Sequence, residues 1–355
     1  MSCENRPLTQ AVLDVVTKRL RLKSATELFH TVSAAQPSQH KRRKASEEQM
    51  DAFIDDLRAD VSELGSDPIT ELRDAEPRPS PAQLEALRVL LDMNPREVPD
   101  HPGPMLTLPI QDPAGILAWS TVMELSNYRR QGWTLVGGQM VHLLAWEHGE
   151  ISPRVTTDAD VVLNVRAYPK ALADVTKRLL DMGYREDGVS PEGVGHRYRS
   201  EVTPAASVDV LLPEGIGDPK RFLTATGAWT IEVPGSVQAL ERSLRRTVSI
   251  NGIAGSIIRP DVHAAMVLKA AAYQAEVGKP AAERHLRDFA VLVSLYARHY
   301  PNTELQDRLT KKDRSRIFTA LGHLLPDNPI WRTVTDGRDA RHMVATAIRD
   351  GEVKT

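Results

Sequence analysis

Residues Trp133–Val165 read WTLVGGQMVHLLAWEHGEISPRVTTDADVVLNV, and this stretch decides the fold. Trp133 to Val136 is a short apolar run that meets Gly137-Gly138, and a helical run follows to Trp146. Strand, glycine turn and helix make a place for phosphate, because backbone N–H groups point out of the turn and glycine leaves room for close approach. Further on, Arg154, Thr156, Asp158 and Asp160 lead into Val161-Val162-Leu163. Carboxylates two residues apart on a strand project to one face, where they repel each other, and a divalent cation relieves that repulsion. The combination points to metal-assisted chemistry on a nucleoside triphosphate.

Outward from this stretch, the composition sets limits. The 355 residues suffice for two domains, and 45 Lys and Arg against 47 Asp and Glu leave a net charge of −2. A near-neutral total argues against whole-surface nucleic-acid binding, though not against local patches. The single cysteine, Cys3, excludes a disulfide framework and a cysteine-built zinc site and fits a reducing cytosol. With no membrane-length apolar run and no apolar signal core at the start, a cytoplasmic protein with no membrane partner is expected.

Four segments are expected. Residues 1–94 read as a helical N-terminal extension. Ser46 with Gln49 and Ser80 with Gln83 form capping boxes, and Lys41–Lys44 is a basic run in a polar loop. Residues 95–111 are proline-rich and read as a linker. Residues 112–259 read as a mixed α/β (α+β) core. Here Asp112-Pro113 opens a helix expected to run to Gln131, and strands are expected at 158–165, 184–186, 196–202 and 207–212. Asn251-Gly252 is a hairpin signal. Asp209 stands alone in the apolar alternation Ser207–Leu212, and buried carboxylates are rare unless paired or metal-bound. Residues 260–355 read as a helical C-terminal domain, with Asp261 as a cap and Lys269, Arg287 and Asp288 on its first two helices. No His-Glu-x-x-His or His/Cys spacing marks a zinc site, so His142, His148 and His196 read as structural, while Arg197 has two open readings, a phosphate contact or a structural role.

The ordered set Gly137-Gly138, Arg154-x-Thr-x-Asp-x-Asp160, Asp209, Lys269 and Arg287-Asp288 resembles the DNA polymerase β-type nucleotidyltransferases, in particular the AbiEii/MenT-like toxins of type IV toxin–antitoxin systems. The resemblance covers about residues 112–298. It implies a polymerase β-like core with Asp158, Asp160 and Asp209 holding two Mg²⁺ ions (Mn²⁺ as a substitute) and Asp209 as general base. Gly137, Gly138 and Gln139 would lie under the phosphates of an NTP. Lys269 would meet the triphosphate, Arg287 would bind the nucleotide, and Asp288 would orient that lysine or the nucleotide. Arg154 and Thr156 would brace the carboxylate strand. The implied activity is transfer of NMP from NTP to a hydroxyl, foremost a tRNA 3′ end, with a cognate antitoxin as protein partner. Alternatives are NMPylation of a protein and a catalytically silent fold that binds nucleotide or a partner. Three departures stand out: arginine replaces lysine at Arg287, Gln139 replaces a small residue after the glycines, and the stretch before Asp158 is long.

Overall fold

The computed structural model describes residues 98–151, 156–278, 281–301, 305 and 308–350, all within a unit spanning Glu97–Thr355. The helices expected before Asn94, the Lys41–Lys44 run and Arg154 lie outside the described residues.

The fold is mixed α/β. Its larger sheet has β2 (Trp133–Val136), β3 (Asp158–Leu163), β6 (Ser207–Pro213), β5 (Arg197–Ser200) and β4 (Tyr184–Glu186) in that order, with β7 (Glu232–Val233) paired to β6. Only β3–β6 and β6–β7 run parallel; the other pairings are antiparallel. The parallel β3–β6 pair needs a crossover, supplied by α3 (Ala171–Asp181) with the β4–β5 hairpin. All seven residues of β6 are buried, which explains its nearly continuous apolar run.

A second sheet stacks β1 (Leu106–Thr107), β8 (Ser243–Ile250) and β9 (Ile253–Pro260). Asn251 at φ 50° and Gly252 at φ 80° make the turn between β8 and β9, as the Asn-Gly pair requires. β1 lies inside the proline-rich segment: Met105 to Leu108 carry no proline, so their N–H groups are free to pair, and Leu106 and Thr107 align with Val248 and Ser249.

Helix α1 (Pro113–Tyr128) starts where Asp112 accepts a 2.6 Å hydrogen bond from the Gly115 N–H. It stops three residues before Gln131. Arg129 turns extended, its guanidinium lies 4.4 Å over the Tyr168 ring, and its carbonyl accepts from Trp133 Nε1 at 2.7 Å. Helix α2 (Gly137–Trp146) follows β2 directly, and its residues Gly138–Ala145 are all buried. After α4 (Ser236–Glu241) and the second sheet come α5 (Val262–Ala275), capped by Asp261, then α6 (Ala282–His299), α7 (Lys311–His323) and α8 (Gly337–Asp350). One apolar core runs through both halves, from Leu135 and Val161 in the sheet to Phe289 and Leu292 on α6 and Trp331 beyond. Each such fully buried side chain contributes about 1.5–3 kcal/mol relative to exposure. None of the described helices is long and apolar enough to cross a membrane.

Buried ion pairs brace α2 at its far end. Glu147 accepts from Arg259 Nε at 2.9 Å and from Arg259 Nη2, and Arg246 Nε stands 3.5 Å away; all three side chains are at most 4% exposed. Three residues on, Glu150 is held by Arg298 and His299 from α6. The helix that begins at the glycine turn is therefore anchored to β8, β9 and α6.

Candidate active site

Strand register builds the site. Asp160 stands opposite Val136 on one side and Asp209 on the other, and Asp209 stands opposite Arg197. Two residues back, Asp158 is aligned with Ser207, which is aligned with Arg199. Aligned partners and i, i+2 neighbours share a sheet face, so Asp158, Asp160, Asp209, Ser207 and Arg197 belong to one surface.

The three carboxylates are held differently. Asp158 Oδ1 accepts from Ser207 Oγ at 2.9 Å, and the Thr156 hydroxyl reaches the Asp158 carbonyl at 3.4 Å. Asp209, 6% exposed, is gripped by both arms of Arg197: Nε to Oδ1 at 2.8 Å and Nη2 to Oδ2 at 2.7 Å. That charge-assisted fork holds the arginine's pKa above its ordinary range. Asp160 is half-buried, and among the described residues no side chain donates to it. Burial first, then the neighbouring Asp209 charge, push its carboxyl up to about 7, against the opposing pull of Lys269 and Arg197.

Gly137 lies against that carboxylate with φ 69°, and a β-carbon there would fall 1.6 Å from Asp160 Oδ2. Only glycine fits, for both conformation and space. Helix α2 opens at this residue, beside the Asp160 carboxylate, and its N-cap Val136 provides no side-chain cap for the first N–H groups. Gly138 is buried in the first turn. Gln139 is fully buried, and among the described residues its amide has no hydrogen-bond partner.

Lys269 and Asp288 tie α5 to α6 by a 2.7 Å bond between side chains that are 2% and 5% exposed. The lysine reaches Asp160 as a charge. His285, one helical turn before Asp288, lies beside Glu276 Oε2 at 3.3 Å; burial and the Lys269 charge push its pKa down to about 4. Arg287 is not drawn into this group. It faces solvent and pairs with Glu283 on its own helix at 2.6 Å. His142 packs its ring on Trp146, and His148 stacks on His299 at 4.3 Å. Ser207 was the residue sequence reading passed over, although its i, i+2 spacing from Asp209 marks the same face.

These residues fit a divalent cation. Two carboxylates share a face, a third stands in register, no described side chain donates to Asp160, and glycine clears the space against it. Among the described residues, however, no three His, Cys, Asp or Glu side chains already converge as a cage.

No protein-family model matches the chain, and no curated protein matches it. Among solved structures, it is similar to an antigenic nucleotidyltransferase-like protein from Paracoccidioides brasiliensis, at 17% identity and TM-score 0.40 over 67% of this chain and 95% of that one. It is also similar to JHP933 from Helicobacter pylori, at 13% identity and TM-score 0.33 over 69% of this chain and 94% of that one. Identities and scores this low mark loose likenesses, and the chemistry is carried by the residues above.

Proposed function

We propose that the chain is a Mg²⁺-dependent nucleotidyltransferase of the AbiEii/MenT-like kind, moving NMP from an NTP to an acceptor hydroxyl, foremost a tRNA 3′ end. The reading rests on one observation: Asp160 and Asp209 stand opposite each other across β3 and β6 while the Gly137 turn closes on Asp160. The tRNA acceptor and a neutralising antitoxin follow from the family resemblance.

Asp158 and Asp160 would hold the cation, with Asp209 as the further ligand. When bound, magnesium supplies charge neutralisation for the triphosphate and acidifies the attacking hydroxyl. The chain's own part is positional. The open N–H groups of α2 receive phosphate oxygens, Gly137 keeps the approach clear, and Lys269 contributes positive charge from within a buried pair. The acceptor oxygen attacks the α-phosphorus, the bond to the bridging oxygen breaks, pyrophosphate leaves, and the hydroxyl proton passes to the carboxylate cluster.

The test incubates the full chain with Mg²⁺, total tRNA and each NTP labelled at the α-phosphate. Label on tRNA is expected, with Asp158→Asn, Asp209→Asn and Lys269→Ala each lowering it by at least ~10²-fold. Label on protein instead would identify NMPylation. Near-native transfer by either aspartate variant, or no label and no pyrophosphate, would overturn the assignment.

A further inference from the structure

Among contacts between described residues, Asp209 is the only one of the three carboxylates with both oxygens committed. Arg197 takes them from directly across the β5–β6 pairing, at 2.8 and 2.7 Å. The acid is almost sealed, yet its partner is not: the Arg197 side chain is 38% exposed. Asp158 gives one oxygen to Ser207, and Asp160 gives none to any described side chain. With respect to the described side chains, the carboxylates therefore divide into an open pair on β3 and a closed one on β6.

A guanidinium fork matches phosphate as well as it matches carboxylate. An incoming triphosphate brings several anionic oxygens to the same strand face and competes for the fork from its solvent side. We propose that Arg197 is a phosphate-exchanged clamp: without nucleotide the site takes one divalent cation, on Asp158 and Asp160, and Asp209 becomes a ligand for a second only after Arg197 leaves it for a phosphate. The inference rests on the nucleotidyltransferase reading and deepens it. Before nucleotide arrives Arg197 acts through Asp209; afterwards it binds the phosphate directly. Its charge stands in for the second cation, so the complete metal set assembles only with nucleotide in place.

Mn²⁺ binding to the full chain without nucleotide tests this, with free Mn²⁺ read by electron paramagnetic resonance. The native protein should bind one Mn²⁺ per chain, and Arg197→Ala two. Asp209→Asn should keep the native count, since its carboxylate is already engaged, whereas Asp160→Asn should lose tight binding. In EDTA, R197A should bind ATP, GTP, CTP or UTP, whichever the native protein prefers, about tenfold more weakly. Should R197A fail to fold, R197K keeps the charge without the fork and should show a second, weaker Mn²⁺ site. A single Mn²⁺ in a folded R197A or R197K protein would overturn the clamp. So would two in the native chain, or unchanged nucleotide affinity. No Mn²⁺ in either native or variant protein would overturn the metal reading itself.

Discussion

Gly137 and Asp160 are packed so that a single added methyl group cannot fit: a β-carbon on Gly137 would stand 1.6 Å from Asp160 Oδ2. The turn at the head of α2 and the carboxylate of β3 are thus one steric unit. Gly137→Ala should reduce nucleotidyl transfer by more than ~10²-fold. It should also destabilise the fold by at least ~1–2 kcal/mol from the left-handed φ alone. Transfer assays and urea unfolding of the same preparation check both, and near-native transfer would contradict the packing.

The opposite end of α2 carries a different test. Glu147 is the carboxylate that Arg259 and Arg246 share, and all three are buried. Removing it leaves two guanidinium groups without their counter-ion, so Glu147→Ala should cost about 3–5 kcal/mol. Chemical denaturation measures this. A loss under ~1 kcal/mol would mean that the cluster is hydrated.

Arg287 and Asp288 are adjacent in sequence but should behave oppositely. Arg287 makes an exposed pair with Glu283, the kind of contact that contributes less than ~1 kcal/mol. Arg287→Ala should leave transfer and stability close to native. Asp288→Ala strands the buried Lys269 and should lower both, as parallel assays would read.

His285 links this region to pH. Its pKa is lowered from 6.5 to about 4 by burial and then by Lys269. Between those values the unfolded chain binds a proton that the native chain refuses, so stability falls as pH drops from about 6.5 towards 4. Above that window the group makes no difference. Glu276, Asp288 and Arg284 also face this imidazole. His285→Gln should remove up to about one proton from the slope, measured by urea unfolding near pH 7 and near pH 5. An unchanged slope would show that the ring titrates normally.

Much of the site could be read in the linear chain because its determinants are local. Asp112 and Asp261 cap the helices they precede, Asn251-Gly252 turns the β8–β9 hairpin, and the Gly137 turn follows its strand directly. Asp158 and Asp160 share a face by the two-residue period alone. The end of α1 was less legible, since Arg129 leaves the helix for Tyr168, which lies far along the chain. Likewise the linear chain did not show that the packing of α6 on α5 turns Asp288 inward to Lys269 and leaves Arg287 exposed beside Glu283.

By itself, then, the sequence determined the order of strand, turn and helix, the caps, and the residue types that mixed α/β folding would bring to one sheet face. These follow from backbone conformation and from side-chain period, which extend over a few residues. Tertiary structure alone decided that Arg197 meets Asp209, that Lys269 meets Asp288 and that Glu147 gathers two arginines. Those pairings depend on strand register and helix rotation, and both are set by burying apolar surface from distant parts of the chain against a common core.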